Sequence, residues 1–162
     1  MNDKKQKNNT IQLTQAGYEE LKAELQELVD EKLPKAIERV TEAREYGDLS
    51  ENSEYHDARD DKDLIDKRIA EIENILEKAQ VVKNTRSKSK IGMGSKVVVH
   101  LKDKKSKKKT LQIVGEYESD PVEGKISSAS PLGKALMGHK KKDEVTYQAP
   151  AGEITYIIED IK

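Results

Sequence analysis

From Tyr18 to Val40, and again from Tyr55 to Ala79, apolar side chains return every three or four residues, and two such long stripes cannot both stay in water. The first runs Tyr18, Leu21, Leu25 and Leu28, slips in phase near Val29, and resumes as Leu33, Ile37 and Val40. The second runs Tyr55, Ala58, Lys62, Ile65, Ile69, Ile72, Leu76 and Ala79, and only Lys62 breaks it. This is the period of an interhelical seam. The short turn around Gly47 leaves one simple way to bury both stripes, an antiparallel helical hairpin. Arms of about 30 residues would each span roughly 45 Å, against about 12 residues for an ordinary helix. Thr14 is placed to cap the first helix. Pro34 sits at the phase slip; it lacks an N–H, so a bend is expected there rather than an end.

Composition supports a long element over a large core. Charged residues make up 38% of the 162 and aromatics 4%, with no Phe or Trp, too little bulky material for one big compact domain. The absence of Cys excludes disulfides, thiolate metal sites and cysteine nucleophiles. No apolar run approaches the roughly 20 residues of a membrane span, and no signal peptide opens the chain, so a soluble, cytoplasmic protein without a membrane partner is expected. The net charge of −1 hides a division. Residues 11–80 carry 20 carboxylates against 10 cationic side chains, whereas residues 81–162 carry 17 cations against 10 carboxylates. Such a split fits two tasks, with nucleic acid or an acidic partner near the second half, or simply two differently solvated surfaces.

The division of the chain follows. Residues 1–10 are polar and read as a flexible tail, 11–80 as the coiled-coil hairpin, 81–92 as a polar linker, and 93–162 as a second domain. In the last, Val97–Leu101 and Thr110–Val114 flank Lys102–Lys109, predicting a strand hairpin with a strongly basic, solvated loop. Asp143–Gln148 and Gly152–Ile158 alternate as another pair. Between them, Ser130-Pro131-Leu132-Gly133-Lys134-Ala135-Leu136-Met137-Gly138 has Ser at the cap, Pro at the first helical position and Gly past the end, the signature of one short helix. The fold class is α+β: a long antiparallel helical hairpin followed by a small antiparallel sheet with a short helix.

The chemistry concentrates at the hairpin tip, Gly47-Asp48-Leu49-Ser50-Glu51-Asn52. Asp48 and Glu51, three apart at a helix start, can form a variant capping box favoured by the helix dipole. They can equally form half of a metal site. Two carboxylates are too few to cage an ion, but magnesium is commonly held by one or two of them with water and substrate phosphates. Tyr55 lies on the seam and His56 beside it, with packing and surface roles; His100 and His139 lack metal-ligand spacing.

The run Glu42-Ala43-Arg44-Glu45-Tyr46-Gly47-Asp48-Leu49-Ser50-Glu51-Asn52-Ser53-Glu54-Tyr55-His56 resembles the tip signature of the GreA/GreB transcript cleavage factors. Leu13–Leu21, Ser130–Gly138 and Ala149–Ile154 resemble that family too, in order along the chain. The resemblance implies an FKBP-like C-terminal domain that docks at the rim of the secondary channel of bacterial RNA polymerase, with the hairpin threading the channel. It implies that Asp48 and Glu51 assist a Mg2+ ion in the polymerase active site, which the isolated protein does not hold tightly. Backtracked RNA is then cut near its 3′ end, so the protein is a monomeric accessory factor rather than an enzyme. Arg44 and Arg59 match tip-proximal residues that contact the extruded RNA, or they make ordinary surface ion pairs. Two other functions fit such a chain: a channel-binding regulator that inhibits or modulates polymerase without cleavage, and a prolyl isomerase. The acidic pair argues against the first. Only Tyr117, Tyr147 and Tyr156 are available to line an aromatic isomerase pocket, which argues against the second.

Overall fold

The computed structural model describes residues 10–45, 52–83 and 89–162. They divide into two compact units, one of Tyr18–Ala79 and one of residues up to Gly17 with Gln80–Lys162.

The first unit is the helical hairpin. Helix α1 (Gln15–Glu27) runs through a π-helical turn (Leu28–Lys32) into α2 (Leu33–Glu45), and α3 (Ser53–Glu77) returns. The π turn is how the chain handles the phase slip. Leu33 donates its N–H to the carbonyl of Leu28, one residue beyond the α-helical partner. That extra residue brings Leu33 back toward the seam, and it loosens the turn where the Pro34 ring would crowd an α-helical carbonyl. The helix bends its hydrogen-bond pattern and continues.

The buried seam comprises Leu21, Leu28, Ala36 and Ala43 on one side and Ala58, Ile72 and Ile75 on the other. Two positions differ from the sequence expectation. Ile37 is 46% exposed and Ala36 takes its place, and Ile75 is buried although it fell outside the three-four register. Small alanines at 36, 43 and 58 let helices approach closely, so the larger neighbour turns outward. Lys62 is accommodated by pairing with Asp66 one turn on, at 2.5 Å. Ion pairs then fix the arms against each other. Arg68 makes a forked contact with Glu24 (2.7 and 2.9 Å) and reaches Glu71 at 2.8 Å. The hydrogen bond from Arg68 holds the Glu24 carboxyl below its usual range, outweighing the opposing effect of partial burial.

The second unit is built on a five-stranded sheet in the order β5-β4-β3-β7-β6, where β3 is Lys96–Leu101, β4 Lys104–Val114, β5 Lys125–Ser127, β6 Glu144–Ala149 and β7 Gly152–Ile161. It is antiparallel except where β5 joins β4 in parallel. A two-stranded ribbon, β1 (Ile11–Leu13) with β2 (Ala79–Val81), adds to it. Residues 11–17 therefore belong with the sheet rather than with the hairpin, to which the sequence had assigned them. One sheet face carries Val97, Val99, Leu111, Ile113, Val145, Tyr156 and Ile158, closed by Leu136 of helix α4 (Pro131–Leu136). Ile91 is also in this core, so residues at the end of the expected linker pack as part of the domain. The helix capping is as expected: Ser130 Oγ accepts from the Gly133 N–H at 3.0 Å.

The basic tract is a correction. Lys104–Val114 is one continuous strand, so the lysines expected in a loop are strand residues, and only Lys102 and Asp103 form the turn. The pairing with β3 slips between His100 and Leu101, which absorbs the additional residues of β4 as a bulge.

Glu118, in the 3-10 turn Glu116–Glu118, organises the start of α1. Its carboxylate accepts from the Thr14 N–H at 2.9 Å, the Thr14 hydroxyl and the Gly115 N–H at 2.9 Å. Thr14 Oγ1 in turn accepts from the Gly17 N–H at 3.1 Å, confirming Thr14 as the cap of α1. A Cβ on Gly17 would fall 1.8 Å from Glu118 Oε1. Gly17→Ala is therefore expected to cost about 1–3 kcal/mol through overpacking against a carboxylate that its own bonds hold in place. A drop in the thermal midpoint measures it; an unchanged midpoint would show that Glu118 moves aside freely.

Candidate functional site

The tip is closed by Asn52. Its side-chain oxygen accepts from the Tyr55 N–H at 3.2 Å, which makes it the N-cap of α3. Its side-chain NH2 donates to the Ala43 carbonyl in the last turn of α2 at 2.8 Å. One side chain thus satisfies an orphan donor of one helix and an orphan acceptor of the other. The sequence reading placed the cap at Asp48, with Glu51 reaching back. The structure gives that position to Asn52, four residues later. Asn is among the best N-capping residues, and this signal was available in Asn52-Ser53-Glu54; the two acids upstream obscured it. Asn52→Ala is expected to cost about 1–2 kcal/mol, since it removes both the cap of α3 and the bond to the Ala43 carbonyl. A denaturant titration followed by circular dichroism reads that loss.

Asp48 and Glu51 themselves lie outside the described residues, within the segment that links Glu45 to Asn52. Arg44 and Arg59 are described. Arg44 is in the last turn of α2, exposed, with its guanidinium carbon 5.7 Å from the centroid of the Tyr55 ring. This cation–π contact gives the arginine a rest position on the tip. Tyr55 is half-buried on the seam, as its spacing implied, and meets the exposed His56 edge-on at 5.7 Å. Arg59 lies one turn beyond Tyr55 on the same side of α3. It is exposed and only loosely paired with Asp63, at 4.0 Å. Tyr55 therefore has Arg44 on its ring and Arg59 a turn away along the helix.

A third arginine escaped the sequence reading. Arg39 bonds Glu54 (2.7 Å) and Asp61 (2.5 Å), bridging α2 to the first turns of α3. Those carboxylates, Glu54 foremost, raise the guanidinium pKa further, so Arg39 acts as a permanently charged strut. Nothing in the local sequence marks it, because its partners lie 15 and 22 residues away.

Among the described residues, no group of three or more His, Asp or Glu side chains could hold a metal ion. The donor chemistry of Asp48 and Glu51 still suits magnesium, a hard cation that takes carboxylate oxygens and keeps room for water and phosphate.

Comparison with known proteins completes the picture. The family model "Transcription elongation factor, N-terminal" matches residues 11–81, and "Transcription elongation factor, GreA/GreB, C-term" matches 86–162. Transcription elongation factor GreA of Thioalkalivibrio sulfidiphilus is 46% identical over 155 residues, covering 93% of this chain and 96% of its own. The GreA of Trichlorobacter lovleyi is 45% identical over 156 residues, covering 95% and 98%. Among solved structures, GreA factor homolog 1 of Thermus thermophilus is 31% identical and covers 95% of this chain and 99% of its own, with a TM-score of 0.45.

Proposed function

This chain belongs to the GreA/GreB family of transcription elongation factors, and on that premise we propose that it rescues arrested transcription by stimulating cleavage of backtracked RNA. The hairpin enters the secondary channel of bacterial RNA polymerase, and the sheet domain, FKBP-like by family, docks at the rim. Asp48 and Glu51 would supply carboxylate oxygens to a magnesium ion in the polymerase active site. When bound, that ion lowers the pKa of an attacking water and polarises the phosphoryl oxygen. Polymerase performs the reaction, and this protein acts as a monomeric cytoplasmic accessory factor.

The observation that carries this reading is the pair of hydrogen bonds made by the Asn52 side chain. Asn52 caps α3 and ties it to α2 at Ala43, so the N-cap position of α3 belongs to Asn52 and not to Asp48. On this reading Asp48 and Glu51 serve a partner's metal ion rather than the N-cap of α3. Arg44 and Arg59 hold the phosphates of the extruded 3′ end, Arg44 swinging from the Tyr55 face and Arg59 from its weak pairing. Arg39 keeps the arms in register while the tip is loaded.

The test is direct. Added to a stalled, backtracked elongation complex with magnesium, the protein should release short RNA fragments carrying the 3′ end and restore elongation. Tight binding to polymerase with no fragment release would instead identify a channel-occupying regulator.

A further inference from the structure

The positive charge of the second half gathers on one strand edge. β4 pairs with β3 along one side, while β5 reaches only Gln112–Val114 on the other. The outer edge of β4 from Lys104 to Leu111 therefore meets no strand among the described residues. Two lysines of the tract are engaged. Lys108 pairs with Glu159 at 2.5 Å, reaching across β3 to β7, and Lys102 pairs with Glu144 at 2.6 Å. Lys104, Lys107 and Lys109 are exposed and have no carboxylate partner among the described residues.

We propose that Lys104, Lys107 and Lys109 form a sequence-independent contact for the phosphate backbone of duplex nucleic acid. Lys109 is in register with Val99, Lys107 lies in the bulge and Lys104 pairs with Leu101, so the three cations fall within six residues of one strand. Ammonium groups on flexible stems can then settle on separate phosphates of one strand. A protein partner fits the surface less well. Lys104 to Thr110 contains no aromatic or aliphatic anchor, and lysine is depleted where protein interfaces bury their energy. A single strand fits less well too, because this segment offers no ring on which a base could stack. Lysines also protect an unpaired edge from strand addition, but either sign of charge does that, whereas only positive charge holds phosphate.

The experiment uses the full-length protein and a fluorescent mixed-sequence DNA duplex of about 30 base pairs, with anisotropy read from about 50 to 200 mM salt. The wild type should bind with a steep salt dependence. Combining Lys104→Gln, Lys107→Gln and Lys109→Gln should weaken binding and make the log–log salt slope shallower by about three, one per lysine. The triple change to Arg should restore it. The triple change to Glu keeps the edge charged and should abolish binding without aggregation, and it decides the matter if the Gln variant precipitates. No duplex binding by the wild type at about 50 mM salt, or an unchanged slope in the Gln variant, would overturn the proposal. So would tighter binding to a single strand of equal length. A variant that leaves duplex binding intact but loses polymerase would reassign the lysines to an acidic protein surface.

Discussion

Replacing Asp48 and Glu51 together with alanine is expected to abolish fragment release from backtracked complexes while leaving the protein bound to polymerase. Each carboxylate is read as a ligand to a shared ion, and even outer-shell changes at metal sites commonly cost 10- to 100-fold in activity, about the least expected here. The assignment of the cap to Asn52 sharpens the control. Were Asp48 the N-cap of α3, its loss would cost about 1–2 kcal/mol. With Asn52 in that role, the double variant should melt within about 0.5 kcal/mol of the wild type, the usual band for surface changes. A gel assay of RNA release and a circular dichroism melt on the same preparation separate chemistry from folding. Lost release with an unaltered melt supports the ligand role; a destabilised hairpin would return the acids to a structural one.

The second large effect is on stability, at Gly133 in α4. A Cβ there would lie 1.9 Å from the Ser127 carbonyl oxygen and 3.0 Å from the Ser128 Cα. Both are backbone atoms of the segment leading into the helix, and neither can rotate out of the way. Accommodating alanine would lift α4 from the sheet, and Leu136, wholly buried in the core, would lift with it. Gly133→Ala is therefore expected to cost about 3 kcal/mol or more and to lower the melting midpoint by about 10 °C. A shift below about 2 °C would mean that α4 is not held as tightly against Ser127 as its geometry implies. Alanine usually favours helix by up to about 1 kcal/mol over glycine, so the sign of the change is itself diagnostic.

Long-range architecture was legible where one period dominates. The hairpin followed from two stripes of three-four spacing, and the break at Leu28–Leu33 announced a disturbance that the chain resolves as a π turn. Helix α4 was legible because Ser130, Pro131 and Gly138 mark both of its ends. What stayed hidden depends on contacts between distant residues. Ala36 replaces Ile37 in the seam because the closeness of the helices, which sequence does not state, favours the smaller side chain. The lysine strand reads as loop because lysine is poor strand material, and only pairing with β3 makes it extended. Ile91 is one apolar residue in a polar run, and it gains its meaning from the core it enters. Residues 11–13 join the sheet unit through pairing with residues 79–81, far along the chain.

The tip shows the same division. Asp48, Glu51, Arg44 and Arg59 could be named from their motif, whereas the contact of Arg44 with the Tyr55 ring could not. The capping signal of Asn52 was present but overshadowed by the acids, while its bond to Ala43 and the ion pairs of Arg39 depend on the partner helix.

Whether the two acids share an ion with polymerase is decided most directly by titrating magnesium in the cleavage reaction, with the wild-type protein and with Asp48→Asn at saturating occupancy of polymerase. Loss of a ligand charge should raise the magnesium concentration for half-maximal cleavage by about 10-fold or more, with excess magnesium recovering part of the rate. A variant that cuts at the wild-type rate with the same half-saturation would show that Asp48 never touches the ion.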